Sequence, residues 1–388
     1  MFQFVSSAHI DRLKDRLQRP VGEYAHLRFE LEHSAEIAMT EGPWSVTFSP
    51  PGAITGDPHD YYSIGPYWWP DPTAADPKTA PYIRRDGEVN PERFIYNHRQ
   101  DFIALSYAAL TLCTAGYFFN RRDYLDKAAE FYRIWFVATE TKMNPHLEYA
   151  QAIQNICCGR GIGIIELHGL DRIVFTLGFL DAAGGYEKLV GQIEEWLNEM
   201  LDWLINSNHG IEESKNGNNH ETHYFSRIGM CALRLGRKDG IEMMCRNYKE
   251  RILPLQLEPD GSMPHELGRT RSLHYSIFNL DAMAMLCELA KEAGDDSLWG
   301  FKADNRSMEL AIDYLAPAMA NPYLWQYKEI HGEIPAESFA LHFAADRLNR
   351  PDLAKLNNKL REGKRLWRKQ VPIAPICLFE GFNFDEKI

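Results

Sequence analysis

Apolar residues recur at positions i, i+3, i+4 and i+7 along most of the chain beyond residue 92. This spacing places them on one face of an α-helix, whereas the alternation typical of half-buried strands is scarce. The pattern predicts helices over 93–117, 121–138, 160–182, 184–206, 221–236, 238–252, 275–293, 305–317 and 335–348. A short strand pair could lie within 363–383.

Short connections separate these helical segments. Turn residues such as Ala183-Gly184-Gly185 fall between them, and short loops between helices favour antiparallel hairpins. Residues 102–119 are apolar nearly all round, which predicts a helix inside a packed double layer. No repeat of roughly 34 or 40 residues is visible, so a regular solenoid is disfavoured. The predicted fold class is all-α: an (α/α) toroid or incomplete barrel of about six to seven helical hairpins with few short strands.

Composition describes a globular chain with an ample core. The chain has 388 residues, of which 45% are hydrophobic and 25% are charged, as in ordinary globular proteins. We predict one domain over 1–388, with 1–50 as an N-terminal arm and 56–92 as an aromatic cleft loop. No run reaches the roughly 18–20 apolar residues of a membrane span. The seven cysteines are odd in number and form no CxxC pair, which predicts buried thiols instead of a disulfide frame.

The net charge and the N-terminal sequence predict which partners and which cellular compartment suit the protein. The net charge of −12 argues against nucleic acid or an anionic membrane as a partner. A polyanionic ligand would need a local basic cleft. The first 20 residues lack a basic stretch followed by an apolar one, which predicts a cytoplasmic protein. A periplasmic or secreted protein whose signal had been trimmed would look the same.

The stretch 56–92 interrupts the helical pattern. Its prolines and glycines disfavour a helix or a long strand. It carries five aromatic residues and then two adjacent arginines, namely Tyr61, Tyr62, Tyr67, Trp68, Trp69, Arg84 and Arg85. Rings that stack on apolar sugar faces and guanidinium groups that bind carboxylates suit an acidic sugar, so the last five are predicted to bind substrate. A loop that packs its aromatics into a satellite core is the alternative.

A second group lies in KNGNNHETHYFSR, residues 215–227. Asn219 and His220 stand at a predicted helix N-terminus, where amide donors can polarise a substrate carboxyl group while the imidazole handles a proton. Asn218 and His223 are assigned to substrate binding, although an Asn N-cap explains Asn218 equally well. The HETH text is one residue short of the zinc motif HExxH. Neither a metal nor another cofactor is predicted.

A third group lies in residues 260–280, where a tyrosine follows two arginines. A tyrosine acts as a base when nearby positive charge lowers its pKa from about 10. Arg269 and Tyr275 are therefore candidate catalytic residues, and Arg271 and His274 are candidate substrate-binding residues. A core tyrosine with a satisfied hydroxyl group is the alternative.

A fourth group consists of polar residues in MNPHLEYAQAIQ, residues 143–154. They are predicted to line a cleft and bind substrate: Asn144, His146, Tyr149 and Gln151. The glycines that follow, in GRGIGIIELHG, miss the GxGxxG spacing and no strand is predicted before them, so a dinucleotide site is rejected.

Five segments together resemble the alginate-lyase domain family: HDYYSIGPYWWPDP, PYIRRDGEVNPE, MNPHLEYAQAI, NNHETHY and RTRSLHYSIFNL. The resemblance covers about residues 55–300 and implies a polysaccharide lyase on an (α/α) toroid. The family's Asn-His motif falls on Asn219 and His220, and its Arg and Tyr fall on Arg269 and Tyr275. The six-residue step from Arg269 to Tyr275 resembles the smaller glucuronan- and alginate-cleaving branch.

The resemblance implies syn β-elimination on a β-1,4-linked polyuronate, either mannuronate-rich alginate or glucuronan, without a cofactor. Tyr275 would serve as base and acid, while Asn219, His220 and Arg269 neutralise the uronate carboxylate. Guluronate, the C5 epimer, would instead use His220 as base. The expected partner is thus an acidic polysaccharide or oligosaccharide. Oligomeric state and endo or exo action stay open.

Two other functions remain open at this point. Toroids of this kind also host glycoside hydrolases, which need two carboxyl groups at the cleft. Asp60, Glu221 and Glu266 are candidates, but no sequence feature pairs them. The other alternative is a non-catalytic protein that binds polyuronate.

Overall fold

The structure is a computed structural model, which describes residues 2–76, 81–330, 332, 334–367 and 373–382. Its α-helices are α1 Ser7–Gln18, α2 Glu23–Met39, α3 His98–Phe119, α4 Arg122–Tyr132, α5 Leu170–Ala183, α6 Glu187–Asn206, α7 Asn208–Glu213, α8 Asn219–Leu235, α9 Lys238–Asn247, α10 Leu253–Gln256, α11 Pro264–Leu267, α12 Ser272–Glu292, α13 Met308–Ala320, α14 Phe339–Arg347 and α15 Pro351–Arg361. The strands are β1 Tyr62–Ile64, β2 Trp68–Pro70, β3 Tyr82–Arg84, β4 Tyr149–Ala152, β5 Lys302–Ala303 and β6 Arg306–Ser307.

Each segment predicted to be helical contains a helix, with local differences. The start of 160–182 is a 3-10 helix, Gly161–Gly169, in place of an α-helix. Single π-helical turns, Arg133–Val137 and Tyr248–Ile252, continue α4 and α9. The N-terminal arm is itself largely helical, because α1, α2 and the 3-10 helix Val46–Phe48 all lie within residues 1–50.

The strand pair suggested within 363–383 is wrong for the described part of that range. Residues Ile376–Leu378 form a 3-10 helix there. Pro375 stands directly before it and has no N–H group to donate to a strand partner. Residues 368–372 and 383 lie outside the described residues.

Contacts within the chain divide it into two compact units. We call residues 35–214 the middle unit, and residues 1–34 together with 215–388 the terminal unit. The prediction of a single domain over 1–388 stays a prediction.

The middle unit is built around α3, which packs against α4 and α5. This helix has the length and hydropathy of a membrane span, yet 72% of its most apolar 18-residue window is buried inside the protein. Burial on nearly all sides agrees with the prediction for residues 102–119. It is a core helix.

Short sheets in the middle unit shape its loop region. Strand β1 pairs in parallel with β4, and β2 pairs antiparallel with β3 so that Trp68 faces Arg84. The glycines that follow β4 are explained by close packing. A Cβ atom at Gly159 would lie 1.9 Å from the Glu148 backbone oxygen, and one at Gly163 would lie 2.7 Å from the Ala150 oxygen.

The terminal unit is organised by α12, a 21-residue helix buried along most of its length. It packs against α8, α13 and α14. Helices α8 and α12 therefore lie side by side, and the predicted catalytic residues are all located at or just before their N-termini.

Candidate active site

The N-terminus of α8 presents the Asn-His pair. Asn218 is the N-cap residue, and its side chain accepts a hydrogen bond from the His220 backbone N–H at 2.9 Å. The N-cap alternative for Asn218 is thus confirmed. Because the cap fixes the first turn of α8, the side chains of Asn219 and His220 project from it in defined directions. Asn219 is buried and His220 is half-buried.

Glu266 holds Asn219 by two hydrogen bonds. Its carboxylate accepts from the Asn219 backbone N–H at 2.7 Å and from the side-chain Nδ2 at 2.8 Å. Glu266 is 1% exposed, and this burial raises its pKa, against the opposing effects of the Asn219 bonds and the Arg269 charge. The two bonds fix which way the Asn219 amide points.

Arg269 and Tyr275 are in direct contact. The guanidinium carbon lies 3.8 Å from the centre of the Tyr275 ring. The Arg269 backbone N–H donates to the Glu266 carbonyl at 3.0 Å, so Glu266 connects Arg269 with Asn219. A cation beside a phenol favours the phenolate form. The structure therefore brings the candidate base, Tyr275, together with the cation predicted to lie near it.

His274 and His223 extend from this cluster into a stack of rings. The His274 ring meets Tyr275 edge-on at 5.3 Å, and its backbone N–H donates to Glu329 at 3.1 Å. His223 is buried and stacks on Phe278 at 3.8 Å. Burial holds the pKa of His223 well below its usual value. Neutral and enclosed, His223 packs as a core residue instead of lining an open surface.

The carboxyl groups that a hydrolase would need are engaged elsewhere. Glu266 binds Asn219, as described. Glu221 is 1% exposed; it accepts from the Gly217 N–H at 2.7 Å and from Arg251 Nε at 2.8 Å. In the middle unit, Asp60 is 4% exposed and accepts from the Asn144 side chain at 2.8 Å. These contacts argue against a carboxyl pair that is free for acid–base work.

The aromatic loop of the middle unit divides into two parts. Tyr61 and Tyr62 are buried, and Tyr61 donates to Glu166 at 2.8 Å, so the satellite-core alternative holds for these two. Tyr67, Trp68 and Trp69 stay half-exposed on and before β2.

Arginines flank both tryptophans of this loop. Arg85 lies over Trp69 at 5.1 Å, and the Trp69 indole N–H donates to the Glu88 carbonyl at 3.0 Å. Arg84, on β3, is exposed and pairs with Asp86 at 2.7 Å. The arrangement provides ring faces and cations side by side, as a uronate requires.

Asp60 holds two members of the polar group in residues 143–154. Besides Asn144, Asp60 pairs with His146 at 3.2 Å. Tyr149 is half-exposed on β4, and Gln151 is buried, with its side-chain oxygen 3.2 Å from Arg160 Nη2.

Sequence reasoning missed Arg160. Its Nε donates to the Gln151 carbonyl at 2.9 Å, and its guanidinium lies over Trp68 at 5.7 Å. Burial lowers the pKa of Arg160. Its position between Gly159 and Gly161 is a signal in the sequence, because those glycines allow the close packing that places it.

A metal ion would need several neighbouring His, Cys, Asp or Glu ligands. Across residues 2–76, 81–330, 332, 334–367 and 373–382, no group of three or more His, Cys, Asp or Glu side chains could hold one.

Known proteins agree with the resemblance seen in the sequence. A family model described as alginate lyase matches residues 46–325. The crystal structure of an alginate lyase from Bacteroides ovatus matches with a TM-score of 0.87 and 30% sequence identity, covering 98% of this chain and 99% of that chain. The predicted fold class, an all-α toroid with few short strands, is confirmed.

Other matches are more distant. Alginate lyase A1-III from Sphingomonas species A1 matches with a TM-score of 0.47 and 17% identity, covering 83% of this chain and 79% of that chain. A TM-score this low carries no argument about the site. Among curated proteins, no match was found.

Proposed function

The chain belongs to the alginate lyase family of polysaccharide lyases, and from this premise we propose that it cleaves a β-1,4-linked polyuronate by syn β-elimination. The proposed substrate is mannuronate-rich alginate or glucuronan, as polymer or oligosaccharide. The observation that carries the proposal is the contact between Arg269 and Tyr275 at 3.8 Å, beside an Asn219 whose amide is fixed by Glu266.

The reaction needs a carboxylate to be neutralised. The C5 proton of a uronate is barely acidic until donors stabilise the negative charge that develops on the adjacent carboxyl group. Asn219, His220 and Arg269 supply an amide, an imidazole and a guanidinium group for this purpose. The fixed amide of Asn219 adds pre-organisation, because no reorientation is needed during the reaction.

Tyr275 is proposed to move the proton. As phenolate it takes the C5 proton, the C5 carbanion expels the C4 oxygen, and the resulting phenol returns a proton to that oxygen. In mannuronate and glucuronate the C5 hydrogen and C4 oxygen lie on one face of the ring, so a single tyrosine serves both steps. For guluronate these groups lie on opposite faces, and His220 would be the base.

The decisive experiment measures the unsaturated uronate by its ultraviolet absorbance. Polymannuronate, polyguluronate, glucuronan and hyaluronan are each offered to the unchanged enzyme and to Tyr275→Phe. We expect absorbance with polymannuronate or glucuronan, and loss of turnover in the variant by about a hundredfold or more. Tyr24→Phe is the matched control, since it removes a hydroxyl group from a half-exposed tyrosine on α2 in the same unit.

Two outcomes would contradict the proposal. If Tyr275→Phe formed the unsaturated product at the unchanged rate, Tyr275 would not be the base. If the products carried added water and no double bond, the enzyme would be a hydrolase.

A further inference from the structure

A segment after α13 lies beside the catalytic helix and belongs to none of the groups described above. It begins with the 3-10 helix Pro322–Leu324 and continues to residue 330. Its backbone pairs with the residues before α12: the Ser272 N–H donates to Lys328 at 3.1 Å, and the Ile330 N–H donates to Thr270 at 3.1 Å. The segment is thereby fixed next to the first turn of α12, which carries Tyr275.

Side chains reinforce this attachment. The Trp325 indole N–H donates to the Ser272 hydroxyl oxygen at 2.8 Å, and that hydroxyl group donates to the Lys328 carbonyl at 2.7 Å. Ser272 is fully buried, so these bonds are shielded from water. The indole ring of Trp325 is consequently held in place at the surface.

Other aromatic rings surround Trp325. Tyr327 lies 5.3 Å from it in a tilted arrangement, and Tyr314 meets it edge-on at 6.1 Å. Tyr327 is 46% exposed and Tyr323 is 97% exposed. We call Tyr323, Trp325 and Tyr327 the aromatic strip. Large rings left in water forgo the free energy of burial, and the contacting rings of Trp325 and Tyr327 form an apolar patch of the kind that marks ligand-binding surfaces.

Charge favours an acidic ligand at this strip. Lys328 is exposed directly after Tyr327. The neighbouring carboxylate, Glu329, is turned toward α12, where it accepts from the His274 N–H at 3.1 Å. A ring face and an adjacent ammonium group suit a sugar that carries a carboxylate.

We propose that the aromatic strip, with Lys328, is a polyuronate subsite that binds sugar residues away from the bond that is broken. This inference rests on the proposed function and names a further part of the same site. The occupant is the substrate chain itself, because the strip is joined to the segment that bears Arg269 and Tyr275: Trp325 bonds to Ser272, and Glu329 pairs with Arg271.

The test compares substrates of increasing length. Tyr327→Ala and Lys328→Ala are assayed with uronate oligosaccharides from the shortest one cleaved up to the polymer. We expect KM for the polymer to rise about tenfold, as one aromatic contact allows, with kcat unchanged. The shortest substrate should be unaffected. Phe29→Ala is the control, since Phe29 is a 68% exposed aromatic residue on α2 of the same unit.

Several outcomes would overturn the subsite. These are an unchanged KM at every length, an equal loss for the shortest substrate, or a change of oligomeric state in Tyr327→Ala, which would make the strip an interface between copies. If the unchanged enzyme formed no unsaturated product from any polyuronate, the proposed function would fail separately. Binding of the same polymers, measured by calorimetry, would still test the subsite. Equal affinities of the unchanged protein and Tyr327→Ala for these polymers would refute it.

Discussion

The residues proposed to transfer the proton and the residues proposed to stack on sugar rings are held by different means. In the terminal unit, Asn219 and Tyr275 stand at helix N-termini, and a buried carboxylate, Glu266, accepts from both the backbone N–H and the side-chain amide of Asn219. In the middle unit, Trp68 and Trp69 stand on a strand of three residues and are flanked by arginines at 5 to 6 Å. Side chains at helix ends with buried partners are held in precise positions, whereas the side chains of a short hairpin present a surface on which a ligand can lie.

We therefore expect substitutions in these two groups of residues to change different kinetic constants. Substitutions at Asn219, Arg269 or Tyr275 should lower kcat, because we propose that these groups act in the transition state. Substitutions at Trp68 or Trp69 should instead raise KM, because a stacking contact would be equally strong in the bound substrate and in the transition state.

The largest effect is expected for Arg269→Ala. Loss of one donor to a developing negative charge costs about a hundred- to a thousandfold in kcat, and here the cation beside Tyr275 is lost as well. Arg246→Ala, an exposed arginine on α9, is the control. A kcat within a few-fold of the unchanged enzyme would remove Arg269 from the mechanism.

Acid should weaken the attachment of the aromatic loop through His98. Its Nδ1 accepts from the Tyr62 backbone N–H at 2.9 Å, and burial lowers the pKa of His98 to about 4. Below pH 6.5 the unfolded chain takes up a proton that the folded chain does not, so stability falls as the pH drops toward 4. The loss is at most about 3 kcal/mol.

Unfolding curves at pH 7 and pH 4.5, with amide exchange at Tyr62, measure this effect. In His98→Gln the fall in stability should be smaller than in the unchanged protein. His33→Gln, on the exposed face of α2, should leave it unaltered. An equal fall in His98→Gln would show that other groups account for the acid sensitivity.

An intermediate effect is expected for Glu266→Gln. A hydrogen bond to a charged group is worth about 1.5–3 kcal/mol, which corresponds to about ten- to a hundredfold in kcat if the bond positions Asn219. KM should change little. Glu221→Gln is a matched control, because Glu221 is equally buried in the first turn of α8 but binds Arg251. If both variants lost the same kcat, the Glu266 bonds would be structural only.

The smallest effect is expected for Trp69→Ala. Loss of one stacking face should raise KM about tenfold and leave kcat unchanged, while Trp69→Phe should retain part of the affinity. Phe48→Ala, another exposed aromatic of the middle unit, should change neither constant. A fall in kcat alone would break the distinction between the two clusters.

Local patterns predicted the helices and the residues at their ends. The periodicity of residues 275–293 and the Asn-Asn-His text before residue 221 correctly indicated α12 and the start of α8. Partners distant in sequence were not predictable. Glu266 lies 47 residues from Asn219, and the partner of β1 lies beyond α4. Each pairing depends on how helices pack, which periodicity along one segment does not encode.

The aromatic loop shows the same limit on a smaller scale. Tyr61, Tyr62 and Trp69 all belong to this loop, yet the first two are buried and the third is half-exposed. Tyr61 donates its hydroxyl hydrogen to Glu166, 105 residues later in the chain, and Tyr62 packs edge-on against Tyr96 at 4.6 Å.

The burial of α3 has a consequence for how the protein is made. A helix with the hydropathy of a membrane span leaves the ribosome before α4 and α5, the helices that cover it. Until residue 183 has emerged, this apolar surface is available to chaperones, membranes and other nascent chains, the condition under which folding intermediates aggregate. We therefore expect the yield of refolded enzyme to fall as protein concentration rises, and to recover when a chaperone that binds apolar segments is added.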